Sequence, residues 1–105
     1  MSITFVYDER LGISIPNLSC EWKSLSQSQQ ENTISEWETY RGDIPERVKE
    51  IEHEINQLQE RLYIEDDFDR SCHLNEQISE LASVINDLWI WYRTNASVTE
   101  SKTHF

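Results

Sequence analysis

Two glutamate–histidine pairs have a spacing that can bind metal ions. Glu50 and His53 are three residues apart, and His73 and Glu76 have the same spacing in reverse order. In helical bundles, a Glu-x-x-His pair on the inward face of a helix supplies ligands to a two-metal site. The apolar repeats described below place all four side chains at outer heptad positions, where they are predicted to face solvent. We therefore predict no metal site and no cofactor.

The sequence also lacks the motifs of enzymatic catalysis. The Gly-x-Ser-x-Gly, phosphate-loop and Gly-x-Gly-x-x-Gly patterns are absent, and the 105 residues include two glycines. Cys72 and His73 are adjacent, and no Cys-x-x-Cys pair accompanies them. The many carboxylates fall on predicted solvated helix faces, whereas general acid–base catalysis uses carboxylates in apolar pockets. We expect a non-enzymatic protein, and an enzyme with a site around the aromatic residues 88–92 is the weaker hypothesis.

Two consecutive apolar repeats between residues 44 and 92 predict an antiparallel helical hairpin. In each repeat the apolar residues are alternately four and three positions apart, which places them on one stripe of an α-helix. A short polar segment separates the repeats, so the two stripes face each other. The first repeat is Ile44, Val48, Ile51, Ile55, Leu58 and Leu62, and the second is Leu74, Ile78, Leu81, Ile85, Leu88 and Tyr92.

Capping residues give the predicted bounds of the helices as 24–41, 43–63 and 66–94. Three serines can cap the first helix, and the last of them forms a possible capping box with Glu31. Gly42 is predicted to end that helix as a left-handed C′ residue. Asp43 and Glu46 form a capping-box-like pair at the second helix, and Asp66 or Asp67 is expected to cap the third. The candidate serine caps are Ser24, Ser26 and Ser28.

The first sixteen residues are predicted to form a β-hairpin. The apolar residues of the first strand alternate with polar or outward positions, and they are Ile3, Phe5 and Tyr7. Gly12 can adopt the positive φ of a tight turn. Pro16 is expected to end the second strand. Residues 95–105 are polar and unpatterned, and are predicted to be a flexible tail. The sequence thus predicts a mainly α, α-rich α+β domain at 1–94: a long antiparallel helical hairpin, a shorter N-terminal helix and a small β-hairpin.

The predicted register leaves the end of the third helix without a partner in the second. If Leu62 lies beside Phe68, Val48 meets Ala82, and the second helix ends near Ile44, opposite Asn86. About 12 Å of the third helix then extends beyond it. This extension contains residues 88–92, which are apolar all round and therefore predicted to be buried. We expect the N-terminal forty residues to cover it.

Composition bounds the possible partners. Twenty acidic and nine basic residues give a net charge of −11, which disfavours direct binding to nucleic acid or to an anionic membrane. Nothing at the N-terminus resembles a signal peptide, and the longest apolar run is far shorter than the ~20 residues that span a bilayer. We therefore expect a cytoplasmic protein with reduced cysteines.

These observations predict a protein–protein interaction module with an unknown protein partner. The alternative is an acidic inhibitor that mimics nucleic acid, because carboxylates repeated along two helices can imitate a row of phosphates. We also predict a homodimer, since the third helix has a wide apolar stripe and a two-stranded hairpin has open edges. The predicted interaction surface, called here the predicted acidic surface, consists of Glu50, Glu54, Glu76, Glu80, Asp87, Trp89 and Trp91.

Overall fold

The computed structural model describes residues 4–17 and 22–93. Two strands, β1 (Thr4–Asp8) and β2 (Ile13–Asn17), are followed by a 3-10 turn at Trp22–Ser24. The helical segments are α1 (Gln27–Arg41), α2 (Ile44–Ile64) and α3 (Phe68–Arg93). The protein is therefore mainly helical with a small antiparallel sheet, as the sequence predicted. Ile3 and the predicted tail at 95–105 lie outside the described residues.

The predicted count of three separate helices is wrong, because α1 and α2 are two segments of one long bent helix. Gly42 has φ −63° and ψ −20°, and Asp43 has φ −83° and ψ −12°, so both residues keep right-handed helical angles. The Gly42 N–H donates to the Glu38 carbonyl at 3.1 Å, and the Asp43 N–H donates to the Tyr40 carbonyl at 3.0 Å. Pro45 has no N–H, which removes a helical hydrogen bond and accounts for the bend. The structure thus contains this bent helix and α3.

Two predicted caps at this junction are also wrong. Gly42 is not left-handed, and the Asp43 side chain makes no capping hydrogen bond. The Gly42 and Asp43 N–H groups donate to carbonyls of α1, and the Arg47 N–H donates to the Asp43 carbonyl at 3.1 Å, so backbone hydrogen bonds continue through the junction.

Of the three candidate serines, Ser26 is the cap of α1. Its hydroxyl accepts from the Gln29 N–H at 3.1 Å, and the Gln29 side chain accepts from the Ser26 N–H at 2.9 Å. This reciprocal pair is a capping box, so the pairing of Ser28 with Glu31 was wrong. Ser24 instead ends the 3-10 turn.

The α2–α3 hairpin follows the predicted apolar stripes. Both helices begin and end within two residues of the predicted bounds, and Asp67 caps α3 by accepting from the Arg70 N–H at 2.9 Å. Burial is uneven along the stripes: Ile44, Val48 and Ile51 are buried in α2, whereas Ile55, Leu58 and Leu62 are half-buried. We call residues 55–78 of the hairpin the arm, and its seam residues are half-buried except Leu74, which is 5% exposed.

The β-hairpin pairs Phe5 with Pro16 and Tyr7 with Ser14. Gly12 has φ +77°, as predicted for the turn. Pro16 was predicted to end the second strand, but it lies within β2 and is buried. The strand continues by one residue, to Asn17. In a two-stranded sheet each strand has an outer edge, where the missing N–H of a proline costs no ladder hydrogen bond.

The core lies at the end of the hairpin opposite the arm. Leu88 of α3 and Ile44 and Ile51 of α2 are fully buried there, together with Trp37 of α1, and the β-hairpin adds Leu11 and Ile13. Trp37 contacts Trp91 edge-on at a centroid distance of 5.6 Å. The N-terminal elements therefore cover the end of α3, as predicted. The prediction of burial all round was wrong for Ile90, which is 48% exposed.

We expect the core end of the hairpin to determine stability. Ile51→Ala and Leu88→Ala should each lower the free energy of unfolding by about 2–5 kcal/mol, because each leaves a cavity in a fully buried site. The exposed controls His53→Ala and His73→Ala should change it by no more than about 0.5 kcal/mol. Urea denaturation followed by circular dichroism measures all four, and equal losses in the two pairs would contradict this account of the core.

The two glycines should respond oppositely to substitution by alanine. At Gly12 the positive φ is unfavourable for alanine by about 1–2 kcal/mol, and the added Cβ would overlap the Arg47 guanidinium. At Gly42 the backbone is already right-handed, and the nearest atom to a Cβ would be the Glu38 carbonyl oxygen at 3.4 Å. Gly42→Ala should therefore be neutral or stabilising by up to about 1 kcal/mol. Thermal unfolding compares the two variants, and marked destabilisation by Gly42→Ala would argue against a continuous bent helix.

Candidate functional site

The four residues with metal-binding spacing lie apart from the seam between the helices. Glu50, His53, His73 and Glu76 are all exposed, as their heptad positions predicted. Within residues 4–17 and 22–93, no group of three or more histidine, cysteine or carboxylate side chains is arranged to hold a metal ion.

The predicted acidic surface is divided by contacts within the chain. Glu54 and Glu76 are exposed, and Glu50 is exposed beside Arg47, with an ion-pair distance of 3.3 Å. Glu54 and Glu80 line a shallow groove between α2 and α3, together with Leu58 and Leu81. The remaining members of the surface contact the N-terminal elements or other aromatic residues, and so do not form one continuous free face with these glutamates.

Arg10 engages both Glu80 and Asp87. Its Nε donates to Glu80 Oε1 at 2.8 Å, its Nη1 donates to Asp87 Oδ2 at 2.8 Å, and its Nη2 donates to Ser83 Oγ at 2.8 Å. The hydrogen bond to Glu80, followed by that to Asp87, raises the pKa of Arg10 above its ordinary value. Since Arg10 lies in the turn of the β-hairpin, these bonds attach the hairpin to α3.

A second arginine holds the same turn from α2. Arg47 Nε donates to the Leu11 carbonyl at 2.9 Å, and the Leu11 side chain is buried in the core. The turn itself is closed by Asp8, whose backbone carbonyl accepts from the Gly12 N–H at 2.7 Å. Arg10, within the turn, and Arg47, from α2, therefore link a marginal two-stranded sheet to the helical hairpin.

The two tryptophans of the predicted acidic surface take part in intramolecular packing. Trp91 is half-buried against Trp37, and Trp89 is half-buried with its ring 5.3 Å from that of Tyr92. The Arg41 guanidinium lies over the Tyr92 ring at 4.8 Å from its centroid, a cation–π geometry. These aromatic residues join α1 to the end of α3.

The most exposed large apolar side chains lie at the opposite end of the molecule, where α2 turns into α3. Tyr63 is 91% exposed, Ile64 is 75% exposed and Phe68 is 78% exposed. They flank the three-residue connection between the helices, and we call them the tip patch. Large apolar side chains gathered at one exposed position are typical of a binding surface.

Hydrogen bonds define the backbone that presents the tip patch. The Glu65 N–H donates to the Leu62 carbonyl at 3.2 Å, which closes α2, and Asp67 caps α3. Arg70 Nη1 lies 3.8 Å from Glu65 Oε1 across the connection. Each of the two helix ends thus has a local capping hydrogen bond, and the tip patch lies beside a defined turn.

Sequence reasoning missed the tip patch because it followed the apolar stripes. Leu62 belongs to the stripe and is half-buried, whereas Tyr63 and Ile64 follow it at positions that rotate away from α3. Phe68 precedes the second repeat by more than a turn. The sequence did contain a signal for this patch: within the six residues 63–68, three large apolar residues lie off the stripe and flank a polar turn.

Comparisons with known proteins give no relative from which a function can be transferred: no family model, no curated protein and no solved structure matches the chain. Among the described residues, no helix combines the length and the apolar composition needed to cross a membrane.

We expect Arg10→Ala to loosen the β-hairpin from α3 while leaving the helical hairpin intact. The change removes all three bonds to Glu80, Ser83 and Asp87, so amide hydrogen exchange should accelerate in residues 4–17. Because the ion pairs are solvent-exposed, 1 M NaCl should reduce the difference from the wild type. Mass spectrometry of hydrogen exchange measures it.

Arg70→Ala is the matched control, since it removes an exposed arginine that pairs with Glu65 at the arm. Its effect on exchange in residues 4–17 should be negligible. Equal acceleration by both variants would show that Arg10 has no special role in attaching the β-hairpin.

Proposed function

We propose that this protein is a small acidic, non-enzymatic protein–protein interaction module that binds its partner through the tip patch. The observation that carries the proposal is the exposure of Tyr63, Ile64 and Phe68 together at one end of a helical arm. Single exposed apolar residues are normal on soluble proteins. Three large ones around a single turn have an unfavourable hydration free energy that a partner surface would relieve.

The size of that effect supports a role for these side chains as the central contact of an interface. Full burial of a large apolar side chain is worth about 1.5–3 kcal/mol, and aromatic residues are frequent among the dominant contacts of interfaces. The tip patch contains two aromatic residues and one isoleucine. Their combined burial would supply a central apolar contact, which neighbouring polar groups would then surround.

The arm holds the tip patch away from the core. About 30 Å of α3 lies between Leu88, at the centre of the core, and Phe68 at the tip. Only α2 and α3 form the arm, and its seam residues Ile55, Leu58 and Leu62 are half-buried. A narrow projection with an apolar end suits insertion into a concave surface on another protein.

The structure offers less support to nucleic-acid mimicry. A phosphate-like row requires free carboxylates at regular intervals, but Glu80 and Asp87 are paired with Arg10, and Glu50 is paired with Arg47. Arg61 and Arg70 are exposed on the arm and interrupt the row further. We therefore base the proposal on the tip patch and not on the predicted acidic surface.

Homodimerisation stays a prediction. Within the described residues the sheet consists of β1 and β2 alone, so each strand has an open edge that a second copy could extend. Sedimentation equilibrium at high micromolar concentration tests the prediction, and a strictly monomeric mass would remove it.

The test of the proposed function is affinity capture from the native source with the wild type and Tyr63→Ser/Phe68→Ser. The variant removes most of the tip patch without touching the core, so its circular dichroism and unfolding midpoint should match those of the wild type. We expect a protein retained by the wild type to be reduced at least tenfold with the variant, as measured by quantitative mass spectrometry.

The matched control is Val6→Ser/Tyr7→Ser. These residues are 52% and 61% exposed, but they lie in β1 at the other end of the molecule. Capture should be unchanged with this control. If no captured protein distinguishes the tip variant from the β1 variant, the tip patch is not the binding surface.

A further inference from the structure

The charged residues around the tip patch are mostly acidic. Between residues 60 and 70 there are five carboxylates and two guanidiniums. Glu65 Oε1 forms an ion pair with Arg70 Nη1 at 3.8 Å, and the Asp67 side chain caps α3. The exposed carboxylates of Glu60, Asp66 and Asp69 have no ion-pair partner among the described residues.

We infer that the partner surface is a protein pocket with an apolar centre and a rim of lysine or arginine side chains, an inference that rests on the proposed function. Insertion of the tip patch would bring the carboxylates of Asp66 and Asp69 to the rim of the pocket, because they lie in the same turn. A neutral or acidic rim would desolvate these charges without compensation, whereas a basic rim would pair with them.

The same charges argue against a second copy as the occupant. Two tips that meet would place like carboxylates together, and each chain has a net charge of −11. Like charges that face each other across an interface are unfavourable and select against the wrong partner. The tip patch therefore fits a partner of opposite charge better than it fits another tip.

A lipid surface is also disfavoured. Aromatic residues at a protruding turn can insert into a bilayer interface, but cellular anionic leaflets attract basic and repel acidic segments. The tip has two guanidiniums against five carboxylates, whereas membrane-surface segments carry mainly basic residues on their polar face.

The two components of the site have separable effects. Apolar contacts at the centre of an interface mainly determine how slowly the complex dissociates, whereas charges at the rim mainly change the association rate and its salt dependence. At about 0.1 M ionic strength, exposed charges interact over roughly 10 Å. The acidic rim should therefore accelerate association at low salt and lose that effect at high salt.

The partner is first identified with the full chain carrying p-benzoylphenylalanine in place of Tyr63. Photo-cross-linking in extracts of the native source, followed by peptide mass spectrometry, gives the residues of the partner that the tip touches. We expect cross-links to one protein, at apolar residues with lysine or arginine nearby. Cross-links confined to this chain, or to a second copy of it, would overturn both the inference and the proposed function.

The charge requirement is then measured with the purified partner protein that the cross-linking identified. Asp66→Asn/Asp69→Asn should bind roughly 2- to 10-fold more weakly than the wild type at 50 mM NaCl, mainly through slower association. The difference should disappear by 0.5 M NaCl. Glu60→Gln provides a second variant in case the changes in the α3 first turn disturb the helix, and it should show the same trend.

The matched control is Glu46→Gln/Glu52→Gln, which removes two exposed carboxylates away from the tip. Its association rate should be within about twofold of that of the wild type, because these charges lie beyond close range of the interface. If Tyr63→Ser/Phe68→Ser abolishes binding while the tip and control charge variants behave alike, the proposed function holds and the basic rim is wrong.

Membrane binding is tested by flotation of the intact protein with phosphatidylcholine vesicles and with phosphatidylcholine–phosphatidylserine vesicles. We expect no flotation with either composition. Flotation that Tyr63→Ser/Phe68→Ser abolishes would assign the tip patch to a lipid surface and overturn the inference of a protein pocket.

Discussion

The packing of Leu88 against Ile44, Ile51 and Trp37 is the contact on which the rest of the structure depends. Leu88, near the end of α3, and Ile44, at the start of α2, belong to one buried cluster. The bent helix adds Trp37 to this cluster, because the chain continues from α1 into α2 through residues 42–43. Leu11 and Ile13 complete the enclosure. A marginal two-stranded sheet is thereby held by burial, and the Arg10 and Arg47 hydrogen bonds fix its orientation.

This arrangement makes the two ends of the molecule physically different. At one end, helices, strands and aromatic rings form a closed core. At the other, two helices alone bury their seam incompletely, and Tyr63, Ile64 and Phe68 project from the turn. Apolar residues at that turn contribute nothing to the core, because no third element reaches them among the described residues. The proposed function assigns these residues to an intermolecular contact.

The carboxylates likewise differ in what they contact. Glu80 and Asp87 are used inside the molecule, where they bind Arg10 and attach the β-hairpin. Asp67 is used to cap α3, and Glu65 pairs with Arg70. The acidic residues are thus partly structural, and a count of carboxylates overstates the charge available to a partner. The exposed carboxylates beside the tip patch remain, and they are the charges on which the proposed preference for a basic partner rests.

The sequence by itself determined the helical hairpin. Its two repeats, 44–62 and 74–92, alternate steps of four and three residues, and this spacing places the apolar residues of each repeat on one stripe of a helix. It also determined the turn at Gly12, where a positive φ requires glycine. Tertiary structure decided the rest. Gly42 resembles a helix terminator, but its conformation depends on whether the next residues continue the helix. The partners of Arg10 are some seventy residues away, so local spacing carries no signal for them. The tip patch arises because no third element that the structure describes reaches Tyr63 and Phe68, and the folded chain is needed to show which apolar residues are exposed.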